Sequence, residues 1–250
     1  MLHSTLLERH GFRHGFATRI GGVSAAPFDT LNLGFHLGDD DDAVRRNRLR
    51  FAESLGVSVD RLFEQRQVHG NEVREVTRSD RAEELANREG DALVARDEGI
   101  AVAARTADCV PVLIAHPPSG DVAAVHAGWR GAVAGVVGRA VMSMEHPPGE
   151  LVAAIGPHIR VGAFEVGEEV ARELERAAGG HPVVEREGAK PHGDLAALVR
   201  LQLHHGGVPS TAVDDVGGCT HDEAQLFFSH RRERGRTGRH LSVIVARRSQ

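Results

Sequence analysis

Two short apolar runs separated by a turn dominate the hydrophobic pattern of the chain. VPVLIAH and DVAAVHA are rich in Val, Ile and Leu, and PPSG stands between them, so the pattern predicts two antiparallel strands. With Pro117–Gly120 as the loop, Cys109 lies opposite Gly128, and His126 stands two residues from that partner. The side chains of Cys109 and His126 then share one face, roughly 7 Å apart at the backbone. A register shifted by one residue would separate them.

Further strands follow from the spacing of apolar residues along the rest of the chain. Strands outnumber helices and occur in runs, which favours an α+β fold over alternating βαβ units. The segments with strand patterns are GFRHGFATR, NEVREVT after a turn at His69–Gly70, both sides of Glu98–Gly99 in GDALVARDEGIAVAARTADC, both sides of a turn at His158 in LVAAIGPHIRVGAFEVG, and the final LSVIVAR.

Four segments have the spacing of amphipathic helices. They are AVRRNRLRFAESLGV, which ends at Gly56, GWRGAVAGVVGRAVMSM, EEVARELERAAG, and DLAALVRLQLHHGGV, which ends at Gly206–Gly207. The arginines of the first helix are expected to form a solvated face, and Gly179–Gly193 a loop. Because the chain contains no repeat, low-complexity tract or linker, residues 1–250 are expected to fold as a single domain.

Composition narrows the class of partner. The chain has 250 residues, of which 41% are hydrophobic, and a formal net charge of -5, which gives no electrostatic case for nucleic acid. The N-terminus lacks a signal-peptide core, and no run approaches the roughly 18 apolar residues that span a bilayer. Two cysteines are too few for a secreted disulfide framework. We expect a cytoplasmic monomer that binds a small molecule, with no membrane and no nucleic acid as partner.

The two reactive side chains of the hairpin need a third partner to hold a metal ion. His69, in the turn before NEVREVT, is the candidate. Three protein ligands of mixed His and Cys type with one open position are typical of catalytic zinc. The same donors suit copper, although a blue-copper site usually adds an axial Met. The metal hypothesis therefore assigns His69, Cys109 and His126 to Zn, with Cu as the alternative.

The same side chains also permit catalysis without a metal. Cys109 would be the nucleophile, His126 its base, and Asp108 or Asp91 the group that orients the base. A thiolate beside an imidazolium is reactive at neutral pH. A non-catalytic ligand-binding protein is the third hypothesis, and it predicts that Cys109→Ala binds its ligand with unchanged affinity.

Two further regions are candidates for holding an anion or a substrate. The loop around Gly21–Gly22 lies between Arg19, which supplies charge, and Asn32, which supplies an amide, and glycines let backbone amides approach a ligand closely. The start of the helix after the hairpin combines unpaired amides with Arg130. Trp129, at the same helix start, is expected to pack against the protein rather than to stack on a ligand.

A series of motifs along nearly the whole chain resembles one known family. TRIGGVS, LNLGFHLGD, QVHG, TADCVPVLI, HAGWRG, IGPHI, FEVG, CT and FFSHRRERGRTGR occur in this order, and they are similar to the YfiH-like family, also called the laccase-domain or polyphenol oxidase family. The resemblance implies layered mixed sheets flanked by helices (α/β/β/α) and a metal bound by His69, Cys109 and His126. It also implies phosphorolysis of adenosine, inosine and methylthioadenosine, together with adenosine deamination.

The resemblance leaves alternatives open. Editing of mis-made peptidoglycan precursors is linked to some bacterial members, which keeps the Cys/His hydrolase hypothesis in place. Copper polyphenol oxidation is harder to support, because a multicopper site needs many histidines in His-x-His pairs and the chain has no such pair. For a phosphorylase that binds a purine nucleoside and phosphate, the expected catalytic residues are Cys109, His126 and Arg130, and the expected substrate contacts are Arg19, Asn32 and Asp108.

Two positions depart from the family pattern. His158 stands in IGPHI where the family commonly has Cys, and Ala163–Phe164 stand where it has Cys–Tyr. His158 keeps the capacity to donate a hydrogen bond or to coordinate, but a second sulfur is lost. Cys219 matches the family without a role that we can assign. Buried structural ion pairs are expected for the arginines of the last motif, Arg231, Arg232 and Arg239.

Overall fold

A computed structural model describes residues 1–248. The strands are β1 (His14–Phe16), β2 (Leu62–Phe63), β3 (Val73–Val76), β4 (Ala92–Ala95), β5 (Ala101–Thr106), β6 (Val110–Ala115), β7 (Val122–Ala127), β8 (Val152–Ile155), β9 (Val184–Glu185), β10 (His192–Gly193), β11 (Val213–Asp215) and β12 (His240–Val245). The helices are α1 (Thr5–Arg9), α2 (Asp41–Ser54), α3 (Ala82–Leu85), α4 (Trp129–Val133), α5 (Val136–Ser143), α6 (Glu168–Ala177) and α7 (Leu195–His205). Within residues 1–248, every helix is too short or too polar to traverse a bilayer.

Two mixed β-sheets lie face to face between helical layers. The four-stranded sheet has the order β1-β12-β5-β2, and the six-stranded sheet the order β11-β8-β6-β7-β4-β3. The core between the sheets combines Phe16, Val102 and Ile244 from the first with Leu113 and Ala124 from the second. The α+β fold with layered mixed sheets that the sequence predicts is confirmed.

Helices cover the outer face of each sheet. On the six-stranded sheet, Val125 packs with Val137 of α5 and Leu198 of α7. On the four-stranded sheet, Val243 packs with Phe51 of α2. The strands β6 and β7 are buried at every position, because one face meets helices and the other meets the four-stranded sheet. This burial explains why their sequences are nearly unbroken apolar runs.

The hairpin of β6 and β7 has the predicted register. Pro111 pairs with His126, and Leu113 pairs with Ala124. Since side chains alternate along a strand, Cys109 and His126 point to the same side as Leu113, toward the four-stranded sheet. The two reactive side chains therefore lie at one end of the space between the sheets, just beyond the core that fills its centre.

Three segments differ from the sequence predictions. The single helix predicted after the hairpin is two helices, because Gly135 has a φ of 80° and a left-handed residue ends helical hydrogen bonding. The strand predicted after His158 is a 3₁₀ turn at Val161–Ala163. The loop predicted at Gly179–Gly193 contains the two-residue strands β9 and β10. The last two segments are too short for apolar spacing to decide their conformation.

Arg48 corrects the expectation of a solvated arginine face on α2. Its Nη2 lies 2.8 Å from Oε1 of Glu64, and both side chains are buried. Its Nη1 also donates to the carbonyl of Leu33 at 2.8 Å. The neighbouring Arg45 and Arg50 are exposed, as predicted. Helical spacing alone does not identify the buried arginine, because its burial depends on a carboxylate that comes from another element.

Because three histidines are buried and unprotonated, we expect the free energy of unfolding to fall in acid. Burial lowers the pKa of His240 to about 3 and that of His158 to about 4, and it also lowers the pKa of His14. Nε2 of His240 accepts a hydrogen bond from the Phe228 N–H at 2.8 Å, which requires an unprotonated nitrogen. Below about pH 6.5 the unfolded chain binds protons that the folded protein does not bind, so the free energy of unfolding falls as pH decreases.

The expected slope is about 1.4 kcal/mol per pH unit for each histidine, between the unfolded pKa and the lowered folded value. Urea unfolding at pH 6.5 and pH 5.0 measures it. The variant His240→Gln does not titrate at this position, so it should lose about 1.5 kcal/mol less than the wild type over this interval. An equal loss in both proteins would show that His240 is protonated in the folded state.

Candidate metal centre and substrate cavity

Three side chains from separate elements converge at one end of the two sheets. His69 lies in the loop between β2 and β3, Cys109 directly precedes β6, and His126 lies on β7. Their ligand atoms all lie within 4.8 Å of one another, with Cys109 Sγ 3.8 Å from His69 Nε2. Among residues 1–248, no other group of three His, Cys, Asp or Glu side chains has this geometry. The trio expected from the sequence thus forms one cluster.

Asp91 holds two members of this cluster in place. Its Oδ1 accepts from Nδ1 of His126 at 2.8 Å and from the backbone N–H of His69 at 3.0 Å. Its Oδ2 accepts from the N–H of Gly70 at 2.7 Å. Because Nδ1–H of His126 donates to this carboxylate, Nε2 of His126 is free to face the cluster. Asp91 was expected only as the orienting group of the metal-free hypothesis, and the structure places it where it orients His126.

Gly128 lacks a side chain at a position where the ligands of the cluster need the space. A Cβ added to this residue would lie 2.5 Å from Cδ2 of His69 and 3.2 Å from Sγ of Cys109. The first distance is shorter than a real contact, so any side chain here would displace His69. The glycine of HAGWRG therefore has a spatial role in the site.

The cluster favours an ionised thiol. Burial opposes ionisation of Cys109, but His126 and His69 outweigh it and lower the pKa of Cys109 to about 6. Burial also opposes protonation of His126, but Cys109 and Asp91 outweigh it and raise the pKa of His126 to about 9. Without a bound ion these shifts favour a thiolate beside an imidazolium, and an ion bound to Nε2 of His126 would take the place of its proton. A thiolate is the form of cysteine that binds metals and attacks electrophiles.

A cavity of about 370 Å³ opens beside the cluster. His69 is exposed at its rim, Cys109 is partly exposed, and His126 is buried beneath them. Phe164 and Ile159 provide apolar surface in the same cavity. The volume is in the range of small-molecule pockets, and the exposed rim gives a ligand access to the three donors.

The structure does not bring Arg19 and Asn32 to this cavity. Arg19 donates to the carbonyl of Asp29 at 2.8 Å and to that of Ala224 at 2.9 Å. Asn32 is fully buried, and its amide donates to Asp39 Oδ2 at 2.9 Å. Both side chains are engaged with protein partners away from the lining. Direct substrate contact by either residue remains a prediction that this placement does not support.

Arg130 also points elsewhere. Its guanidinium lies over the ring of Trp129, 4.3 Å from the ring centroid, and the side chain is exposed rather than part of the cavity lining. Trp129 packs against the core between the six-stranded sheet and its helices, in agreement with the packing role expected for it. We assign no catalytic role to Arg130.

Asp108 lines the cavity, as expected of a substrate contact, but its carboxylate already has protein partners. Oδ1 accepts from the hydroxyl of Thr220 and Oδ2 from the N–H of Arg231, each at 2.6 Å.

His158 is buried and donates through Nδ1 to the carbonyl of Gly156 at 2.8 Å. His158 is therefore outside the cavity lining and bound to its own turn.

Three arginines line the cavity: Arg105, which the sequence did not single out, and Arg231 and Arg239, for which buried ion pairs were expected. Of the three arginines named in the last motif, Arg232 forms an ion pair, 2.7 Å from Glu233, and this pair is half-buried rather than buried. Arg231 instead donates to the carbonyl of Glu165 at 2.7 Å. The signals available were the position of Arg105 directly before TADC and the density of arginines in the last motif. Neither signal distinguishes a cavity from a surface.

The donor set fits one divalent ion. Two imidazoles and a thiolate are normal zinc ligands, and three protein donors leave a coordination position open. Copper accepts the same donors. A multicopper site requires further groups of histidines, and residues 1–248 contain one cluster only. The chemistry of the donors therefore favours a single ion.

Comparison with known proteins identifies the family. Residues 13–247 match the family described as multi-copper polyphenol oxidoreductase laccase, and the chain belongs to this family, whose solved members include YfiH. A purine nucleoside phosphorylase from Deinococcus radiodurans is 42% identical over 234 residues, covering 92% of this chain and 88% of the relative. The purine nucleoside phosphorylase YlmD from Geobacillus stearothermophilus is 39% identical over 251 residues, covering 93% and 89%.

Two solved structures share the fold. The crystal structure of the Bacillus licheniformis hypothetical protein YfiH has a TM-score of 0.89 at 30% identity and covers 96% of this chain and 94% of its own. The crystal structure of YlmD from Geobacillus stearothermophilus has a TM-score of 0.88 at 37% identity and covers 94% and 91%. The layered fold is therefore that of the family along nearly the whole chain.

Proposed function

We propose that this protein is a metal-dependent purine nucleoside phosphorylase. The observation that carries the proposal is the convergence of His69, Cys109 and His126 within 4.8 Å at a cavity, in a chain 42% identical to a protein named purine nucleoside phosphorylase. The finer parts of the proposal are zinc as the metal, adenosine, inosine and methylthioadenosine as substrates, and an adenosine deaminase side activity. They are supported by the donor set and by the family resemblance.

Phosphorolysis requires the chain to bind two substrates and to keep water from replacing phosphate. A phosphate oxygen forms a bond to C1′ of the ribose while the bond from C1′ to the purine nitrogen breaks. The electron pair leaves with the base, and the hydrogen of the hydrogenphosphate ends on the base nitrogen. Phe164 and Ile159 offer an apolar surface for the purine. An ion held by the three ligands supplies Lewis-acid polarisation of the substrate.

The direct test is release of hypoxanthine from inosine with and without phosphate. We expect release to require phosphate and to yield ribose 1-phosphate as the second product. Equal rates without phosphate, with free ribose as the product, would contradict phosphorolysis and indicate a hydrolase.

A Cys/His hydrolase acting on peptidoglycan precursors is the second candidate, and one observation favours it. Asp91, His126 and Cys109 form a chain of contacts in which His126 Nδ1 lies 2.8 Å from Asp91 and the pKa of Cys109 is lowered to about 6. This is the arrangement of a nucleophile, a base and an orienting carboxylate. Under this alternative, metal-free protein cleaves its amide or ester substrate, and alkylation of Cys109 abolishes cleavage.

A further inference from the structure

Three arginines from segments around the four-stranded sheet line the same cavity as the metal ligands. Arg105 lies near the end of β5, Arg239 directly precedes β12, and Arg231 lies in the loop before it. We propose that they form a subsite for inorganic phosphate, an assignment that rests on the proposed function for the identity of the anion. A guanidinium presents paired N–H donors whose spacing matches the oxygens of phosphate.

Protein carboxylates leave most of this positive charge uncompensated. Within residues 1–248, neither the guanidinium of Arg231 nor that of Arg239 has a carboxylate oxygen within 4.0 Å. Nη1 of Arg105 lies 3.5 Å from Oε2 of Glu64, but Glu64 is already paired with Arg48 at 2.8 Å. Arg239 is partly buried, and removing a cation from water without a counter-charge is unfavourable. An anionic ligand in the cavity would offset this cost.

Among the residues that the structure describes, only one nitrogen of the Arg239 guanidinium has a protein acceptor. Its Nη1 donates to the carbonyls of Thr237 and Gly238, each at 3.0 Å. In the part of the chain that the structure describes, no acceptor engages its Nε or Nη2. Burial lowers the pKa of Arg239, and the charge of Arg105 adds to this lowering. Both guanidinium groups line the same cavity, and one phosphate dianion between them would offset both charges.

Residues of the LNLG motif hold Arg239 in place. Oδ1 of Asn32 accepts the N–H of Arg239 at 2.9 Å. A Cβ added to Gly34 would lie 3.0 Å from Cβ and Cγ of Arg239, so a side chain at this position would push the arginine away. Asn32 is thus a positioning residue, one step removed from the anion that it was expected to contact.

Asp108 positions Arg231 in a comparable way. Its Oδ2 accepts the N–H of Arg231 at 2.6 Å, and its φ of 92° is a strained value for a residue other than glycine. The guanidinium of Arg231 then lies over Phe164, 5.3 Å from the ring centroid. Because Asp108 adjoins Cys109, one carboxylate links the segment of the metal ligand to the segment of the arginine.

Phosphate binding without a nucleoside tests the subsite. Isothermal titration of the full-length protein with inorganic phosphate should show affinity weaker by roughly tenfold or more in Arg231→Ala and in Arg239→Gln, as expected for loss of a charge-assisted contact. Arg130→Ala is the matched control, because Arg130 is an exposed arginine that does not line the cavity. It should bind phosphate with the affinity of the wild type.

Wild-type affinity in both Arg231→Ala and Arg239→Gln, or an equal loss in Arg130→Ala, would overturn the assignment. Arg231 is exposed, so its variant decides the matter even if Arg239→Gln fails to fold. Failure of the proposed function gives a different result from failure of the subsite. If phosphate binding depends on these arginines but inosine is not cleaved, the subsite stands and the phosphorylase proposal fails. If inosine is cleaved with an unchanged KM for phosphate in both variants, the subsite fails and the function stands.

Discussion

Cys109→Ala is expected to lose both the metal ion and phosphate-dependent cleavage of inosine. The thiolate is one of three donors, and the remaining imidazoles cannot supply its charge. Loss of an outer partner of a metal ligand typically weakens affinity by about 10- to 100-fold, so loss of the ligand itself should exceed the upper end of that range. Metal content by atomic emission and hypoxanthine release by absorbance measure the two effects on the same sample.

The second cysteine provides the control for this variant. Cys219 is buried and does not line the cavity, so Cys219→Ala should keep its metal and its activity. Cys109→Ala with an unchanged metal content would contradict the three-ligand site. Loss of activity in Cys109→Ala, together with full activity of metal-stripped wild-type protein, would favour the Cys/His hydrolase.

Asp91→Asn is expected to weaken metal binding by about 10- to 100-fold. Oδ1 of Asp91 accepts from His126 and from the His69 N–H, and Oδ2 accepts from the N–H groups of Val68 and Gly70. Asparagine keeps one acceptor oxygen, so its amide nitrogen must face donors of one of these sets. Competition with a chromophoric chelator measures the dissociation constant, and excess metal should restore much of the activity.

Asp121→Asn is the matched control for Asp91→Asn. Asp121 is a buried carboxylate that lies 2.7 Å from Nε2 of His146, at the opposite end of the same hairpin. It should lower stability without changing metal affinity. Equal metal dissociation constants in the two variants would show that Asp91 acts on the fold alone.

The hairpin and its reactive face could be predicted because local rules determine them. PPSG set the loop length, and period-two alternation then placed Cys109 and His126 on one side. His69 could be predicted because a metal site needs a third donor and because His69–Gly70 is typical of a turn. These contacts depend on short-range geometry and on a search for one chemical partner.

The arginine side of the cavity could not be predicted in this way. Arg105 and Arg239 are far apart in sequence, and they meet because His240 on β12 pairs with Thr106 on β5. No pattern in either strand specifies that pairing. The charge of Arg19 and the amide of Asn32 near glycines predict ligand contact, yet both residues also bond to distant segments, Arg19 to the carbonyl of Ala224 and Asn32 to the N–H of Arg239.

Restoration of metal-stripped protein tests the central claim most directly. The stripped protein should not release hypoxanthine from inosine in the presence of phosphate, and activity should rise linearly to a plateau at one equivalent of zinc per chain. Phosphorolysis by the stripped protein at the rate of the zinc-loaded protein would contradict a catalytic ion held by His69, Cys109 and His126.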